Sequence, residues 1–186
     1  MQVFEAIQSR RSFRKFLPTP VSRSDMEEIM HVSVHAPSAQ NQQPWSFYVC
    51  QDSKKIQDLG QAIEEIAFEQ MPMLRQRKEH LGVHNSIFFD ASTVVFVAKT
   101  TSPKMPTYAD FDCGLATENV ILAATAKGLQ CIPVAGPIFF GQSLIKEALA
   151  IPDSEQLMLA IPMGYGDPAG RAADYQVDLA AKVHWI

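Results

Sequence analysis

Residues 93–98 read Thr-Val-Val-Phe-Val-Ala, a continuous β-branched and aromatic run with no polar face. A strand that alternates apolar and polar residues can leave one face in water; this one cannot, so it predicts a strand covered on both faces. The rest of the chain supplies the cover. Gln2 to Ser9 reads as a short helix with Val3 and Ile7 four apart. Ser24 and Glu27 form a capping-box pattern opening a helix whose buried stripe is Met26, Ile29, Met30 and Ser33, ending before Pro37. The first strand, Trp45 to Cys50, comes only after these two helices. That order disfavours a βαβαβ start and predicts an α+β layered sandwich.

The later elements follow the same logic. Ile56, Leu59, Ile63 and Ile66 predict an amphipathic helix from Ser53 onward, and Glu69 to Asn85 reads as helix plus loop around Pro72 and Gly82. Asp110 to Lys127 reads as a mostly buried helix on the spacing of Phe111, Leu115, Leu122, Ala123 and Ala126, stopped by Gly128. Cys131 to Val134 and Leu157 to Met163 are predicted strands, with a helix near Ser143 to Ala150 between them. The ending Val183-His184-Trp185-Ile186 places apolar groups where a chain end would fray; either a second subunit or the chain's own core would cover them.

Composition removes several function classes. The 186 residues fit one domain, spanning 1–186, and 47% hydrophobic with 19% charged residues is neither disordered nor coiled coil. A net charge of -4 argues against a nucleic-acid binder, and no apolar stretch is long enough to span a membrane. Cys50, Cys113 and Cys131 lack CxxC spacing, and the pairs His31/His35 and His80/His84 lack an HExxH context, so no metal site is expected. Ser9-Arg10-Arg11-Ser12-Phe13 resembles a twin-arginine export signal, but Pro18, Pro20 and charges follow it instead of an apolar segment. A cytoplasmic location is the expectation.

Two segments remain as carriers of chemistry. Arg10-Arg11-Ser12-Phe13-Arg14 sets three guanidinium groups within five residues, which repel one another unless solvent or an anion relieves them. It is either a solvated basic turn or a phosphate site. Ala36-Pro37-Ser38-Ala39-Gln40-Asn41-Gln42-Gln43-Pro44-Trp45 packs four amides and a hydroxyl between prolines, which suits the N–H and C=O edges of a planar heterocycle. It is equally a polar loop capping a helix, with Trp45 as a core anchor. Gly164-Tyr165-Gly166-Asp167-Pro168-Ala169-Gly170 has GxGxxxG spacing and a helix-breaking proline, so it reads as a turn.

Taken in order, RRSFRKF (10–16), APSAQNQQPWSF (36–47), NVILAATAKGL (119–129), PVAG (133–136), Gly164-Tyr165 and His184-Trp185 resemble the nitroreductase family of FMN-dependent oxidoreductases over most of the chain. The resemblance implies a central, mostly antiparallel sheet flanked by helices, and an intertwined homodimer with two FMN sites at its interface. It implies that Arg10, Ser12 and Arg14, with Arg11 nearby, hold the flavin phosphate and ribityl chain. Pro37, Ser38, Ala39 and Asn41 would approach the isoalloxazine from the partner subunit. Val134, Ala135 and Gly136 would line the flavin with a backbone N–H near its N5, and Asn85 or His84 would meet the pyrimidine edge. The implied reaction carries hydride from NADH or NADPH through flavin to a small electron-poor acceptor such as a nitroaromatic or quinone, with no obligatory side-chain acid or base.

The chain departs from the family pattern in two places. Many relatives carry Lys or Arg before a Pro-Leu near the C-terminus; here Gln176, Val177 and Asp178 precede Leu179, leaving Arg171 or the N-terminal arginines to serve the phosphate. That departure keeps a non-enzymatic flavin-binding dimer open, beside a specialised family member with another substrate. Only Lys99 to Ala109 is available for the helical excursion of larger relatives, so the substrate pocket is either open or covered by residues 69–90.

Overall fold

A computed structural model describes residues 1–186. The elements in chain order are α1 (Val3–Ser9), α2 (Arg23–Ser33), β1 (Trp45–Cys50), α3 (Ser53–Gln70), α4 (Met73–Leu81), β2 (Thr93–Thr100), α5 (Pro106–Ala126), β3 (Gln130–Cys131), α6 (Gly136–Leu149) and β4 (Glu155–Gly164), with short 3-10 turns at Ala39–Asn41 and Pro168–Gly170. The strands form one antiparallel sheet in the order β1-β2-β4-β3. No helix is long and apolar enough to cross a membrane.

The apolar run of β2 splits between two cores, as a period of two requires. Val94, Phe96 and Ala98 pack with Ile56, Leu59 and Ile63 of α3 and Ile145 of α6. Val95 and Val97 pack with Met26 and Ile29 of α2 and with Val120 and Ile121 of α5. The result is the expected α+β sandwich, one sheet between two helical layers. Gly141 interrupts α6 at φ −138°, and a Cβ there would stand 2.3 Å from Ile63 Cγ1; the glycine is what lets α3 and α6 close on one another.

Several boundaries differ from the sequence expectation. Helix α2 is capped by Ser22, whose Oγ accepts the Asp25 amide at 3.0 Å, while Glu27 is spent on Arg23 at 2.9 Å. The cap thus falls two residues before the Ser24 that the sequence pattern marked, because Ser22 finds its partner in the Asp25 amide. Helix α5 starts at Pro106, favoured at a first turn for its fixed φ. Pro133 limits β3 to Gln130–Cys131, with Val134 returning only as a single bridge to Ala160. Helix α6 begins at Gly136, not near Ser143.

The buried faces of α1 and α5 also differ. In α1 the buried residue is Ala6, whereas Val3, Phe4 and Ile7 are exposed. In α5 the buried stripe is Ala109, Asp112, Cys113, Ala116, Thr117, Val120, Ile121 and Ala124; Phe111 and Leu115 face outward. This helix is apolar nearly all round, so its sequence offered two apolar faces and only one is covered within the chain. Residues 172–186 are almost entirely exposed and form no regular element, with Trp185 91% exposed.

Candidate functional site

The basic segment is an extended strip stitched between β3 and the turn after β4. Ser12 bridges Cys131 in parallel, Phe13 bridges Arg171 and Phe16 bridges Gly166. The Arg14 amide donates to the Gly170 carbonyl at 2.8 Å, the Ala172 amide to the Ser12 carbonyl at 2.8 Å, and the Phe16 amide to the Phe89 carbonyl at 3.1 Å. Phe13 and the buried Phe16 anchor the strip against Phe89, Ala91 and Ile132. The aromatic residues hold the backbone, leaving Arg10, Ser12 and Arg14 available.

The four candidate cations and their partners fall into two groups. Arg11 Nε and Arg171 Nη2 each lie 2.7 Å from Asp174 Oδ1, and Arg11 also caps Gln8 and Arg10 carbonyls and sits 5.5 Å from the Tyr175 ring centroid. These two are neutralised within the chain. Arg10 and Arg14 have no carboxylate partner. Burial and the like charge of Arg77 hold the Arg14 guanidinium below its ordinary pKa, the direction that a bound anion would reverse.

Beyond β3 the chain reaches Val134 and the start of α6. A cavity of about 320 Å³ opens there, with Pro133, Val134, Ala135 and Gly136 on its wall beside Phe68, Phe89 and Phe140. The amides of Ala135 and Gly136 make no hydrogen bond within the chain, and a Cβ on Gly136 would meet nothing within 4 Å. Two free N–H groups at the positive end of a 14-residue helix, opening on an apolar cavity, suit an electron-rich planar ligand.

The loop from Val83 to Ala91 forms the edge of this cavity and is held under strain. Phe89 and Asp90 adopt φ of +59° and +62°, costing on the order of 1–3 kcal/mol each. Buried Glu64 of α3 accepts the Ser86 amide and hydroxyl at 2.5 and 2.7 Å and binds Lys78 of α4 at 2.7 Å. Asp90 accepts the amides of His84 and Asn85. The Asn85 side chain is turned inward: its Oδ1 accepts the Ile87 and Phe88 amides and its Nδ2 reaches the Ile56 carbonyl at 3.4 Å. His84 is exposed beside Asp90 and, with Asn85, borders a separate cavity of about 560 Å³. The residues of this loop that reach the Ala135–Gly136 cavity are Ser86, Ile87 and Phe89.

The Pro37–Asn41 segment lies elsewhere. Buried Asp112 of α5 accepts the Ala39 amide at 3.1 Å and the Gln42 amide group at 2.6 Å, while Ser38 Oγ accepts the Gln43 amide. Gln40, Asn41 and Gln43 have φ near +50°. No hydrogen bond, ion pair or bridge joins this segment to the basic strip or to Val134–Gly136 within one chain. Sequence reasoning did not single out Glu64 or Arg77, each in a polar stretch that reads as solvated helix surface, whereas Asp112 lies near a helix start, where a carboxylate reads as a dipole partner.

The sequence profile of the nitroreductase family matches residues 7–165, which takes in the basic strip, the amide-rich loop, the strained loop and the start of α6. The chain belongs to the nitroreductase family. It is 31% identical to a 4-nitrobenzoate reductase of Pseudomonas putida, over 88% of this chain and 86% of that protein. Its fold superposes on a nitroreductase with bound FMN from Bacteroides fragilis with a TM-score of 0.81 at 22% identity, covering 100% and 99% of the two chains. An FMN-dependent nitroreductase from Mycobacterium smegmatis in complex with NADPH gives 0.80 at 19% identity, covering 98% and 97%.

Within the nitroreductase frame the cysteines are bystanders. Burial pushes the Cys113 thiol up to about 11 and the Cys131 thiol up to about 12, so neither is a nucleophile near neutral pH.

Proposed function

We propose that this protein is an FMN-dependent oxidoreductase that passes hydride from NADH or NADPH to a small electron-poor acceptor such as a nitroaromatic or quinone, and that it works as a homodimer. The observation that carries the reading is the join between the unpaired guanidinium groups of Arg10 and Arg14 and the free amides of Ala135 and Gly136, made through the Ser12–Cys131 bridge. A ligand with an anionic tail and a flat, electron-rich head matches both ends.

FMN fits these residues. Arg10, Ser12 and Arg14 would hold the phosphate and ribityl chain, Val134 would support the ring, and the amides at 135–136 would donate to it. Arg171 stands next to the strip through its bridge to Phe13, shared with Arg11 by Asp174. When bound, the flavin supplies hydride acceptance and return. The chain contributes donors that favour negative charge on the reduced ring, an apolar wall that limits water, and no side-chain acid or base. The name of the Pseudomonas putida relative, a 4-nitrobenzoate reductase, supports a nitroaromatic acceptor.

The dimer reading rests on uncovered apolar surface. Phe111 and Leu115 stand on the outward face of α5 beside Gly114, which costs about 1 kcal/mol relative to alanine in a helix interior yet relieves no contact in this chain. A glycine there admits a closely packed partner helix. Phe4 and Trp185 add to the same requirement for cover. A second subunit would also bring Pro37, Ser38, Ala39 and Asn41 to the flavin, which one chain does not.

The test is a double variant, Arg10→Ala with Arg14→Ala. It should purify folded and colourless, while the wild type purifies yellow and bleaches anaerobically with NADH or NADPH. Normal flavin content in the variant would overturn the phosphate assignment, and a yellow wild type that never bleaches would leave a flavin binder in place of an enzyme.

A further inference from the structure

Arg77 is the only charged residue lining the cavity over Ala135 and Gly136. It belongs to α4, where the neighbouring cations Arg75 and Lys78 already have partners. Arg75 lies over the Phe68 ring at 4.8 Å, and Lys78 is bonded to buried Glu64. Arg77 has no carboxylate and no hydrogen-bond acceptor. The side chain is exposed at the cavity mouth, but its helix is held in place: Leu74, one turn earlier on the same face, packs against the core and Lys78 binds Glu64.

The surroundings sharpen the point. Arg77 is close enough to the unpaired Arg14 to act on it as a like charge, second to burial, and the cavity also receives the positive end of α6. Phe68, Leu74 and Phe140 supply apolar wall for an aromatic ring. A neutral ring offers Arg77 no charge to pair with, only a stacking face. A ring bearing a carboxylate matches the planar guanidinium fork in a bidentate way and relieves the local excess of positive charge.

We propose that Arg77 is a specificity-determining residue that selects aromatic acceptors carrying a carboxylate, the ring lying in the apolar part of the cavity and the carboxylate on the Arg77 guanidinium. This rests on the flavin reading above, with Arg10 and Arg14 committed to the flavin phosphate and Arg77 left for the acceptor.

The test is equilibrium binding to the flavin-loaded protein, read from the flavin absorbance, with benzoate and its neutral counterpart benzamide as probes. Wild type should bind benzoate at least about tenfold tighter than benzamide, the scale of one charge-assisted hydrogen-bond pair. Arg77→Ala and Arg77→Gln should each lose that preference while benzamide affinity and flavin content stay unchanged, and Arg77→Lys should restore part of it. Equal losses for both probes would overturn the proposal, since the cavity shape would then be what changed. Loss of flavin would overturn it by assigning Arg77 to the cofactor. A loss seen only for adenosine 2′,5′-bisphosphate would overturn it by assigning Arg77 to the nicotinamide donor. A colourless wild type would instead overturn the flavin reading, and this inference with it.

Discussion

The Arg14 amide donates to the Gly170 carbonyl at 2.8 Å, and a Cβ on Gly170 would stand 2.4 Å from the Lys15 amide nitrogen. The basic strip can lie this close to the turn after β4 only because residue 170 has no side chain. Gly170→Ala must therefore push the strip outward, since the obstacle is backbone and cannot rotate away. The expected cost is about 1–3 kcal/mol of stability, typical of overpacking. FMN affinity should fall with it, by about tenfold or more if the displaced strip loses one charge-assisted contact to phosphate. Chemical denaturation and a flavin fluorescence titration check the two halves separately.

Gly136→Ala should behave in the opposite manner. Its Cβ meets nothing within 4 Å in the chain alone, and alanine is a better helix residue than glycine. The variant should fold with an unchanged or slightly raised Tm. Its methyl would occupy the cavity wall where the proposed flavin ring approaches the free amides, so flavin content on purification should drop. Full flavin loading in Gly136→Ala would place the ring elsewhere.

These two glycines show what could be read in advance. Thr93–Ala98 announced a two-sided central strand because an unbroken run of β-branched and apolar residues leaves no face for water, and both cores form on it. The basic and amide-rich segments stood out because unneutralised guanidinium groups and clustered amides are conspicuous at any address. Helix α5 was legible as a helix but not in its facing: an apolar residue on every side gives no phase, and what fixed the phase was the contact of Val120 and Ile121 with β2. Glu64 was illegible for a different reason. A glutamate between Glu65 and Ile63 reads as surface, and only the folded chain brings Lys78 and Ser86 to it. Asn85 is the same case reversed, a polar residue at a suggestive position whose amide is consumed by Ile56, Ile87 and Phe88.

Asp174 holds Arg11 and Arg171 together, and its hydrogen bonds to them, Arg11 first, keep its carboxyl below the ordinary range. A folded-state pKa lower than the unfolded one means that the contribution is complete above the unfolded value and fades as pH falls through the folded one. The segment that begins at Ala172 should thus loosen at acid pH and stay fastened at neutral pH. Asp174→Asn should reproduce the loosening at pH 7, seen as faster hydrogen exchange and faster tryptic cleavage after Arg171 and Lys182. Identical cleavage rates in the two proteins would show that the tail is held by other contacts.

Asp112 offers the sharpest test of whether two chains build each site. Its carboxylate is buried and accepts from the Ala39 amide and the Gln42 side chain, so Asp112→Ala strands two donors and should cost about 1–3 kcal/mol. The loop it steadies carries Pro37, Ser38, Ala39 and Asn41, whereas Arg10 and Arg14 sit on the strip far along the same chain. If each flavin lies between the strip of one subunit and the loop of the other, the two lesions can be separated by mixing. Asp112→Ala and the Arg10→Ala/Arg14→Ala variant should each bind little flavin alone. Co-expressed with distinguishable tags and purified as a hybrid, they form one site with both lesions and one with neither, so flavin should return to about half of the wild-type content per dimer. A hybrid as colourless as its parents would mean that strip and loop of the same chain serve one site, and the shared arrangement would have to be abandoned.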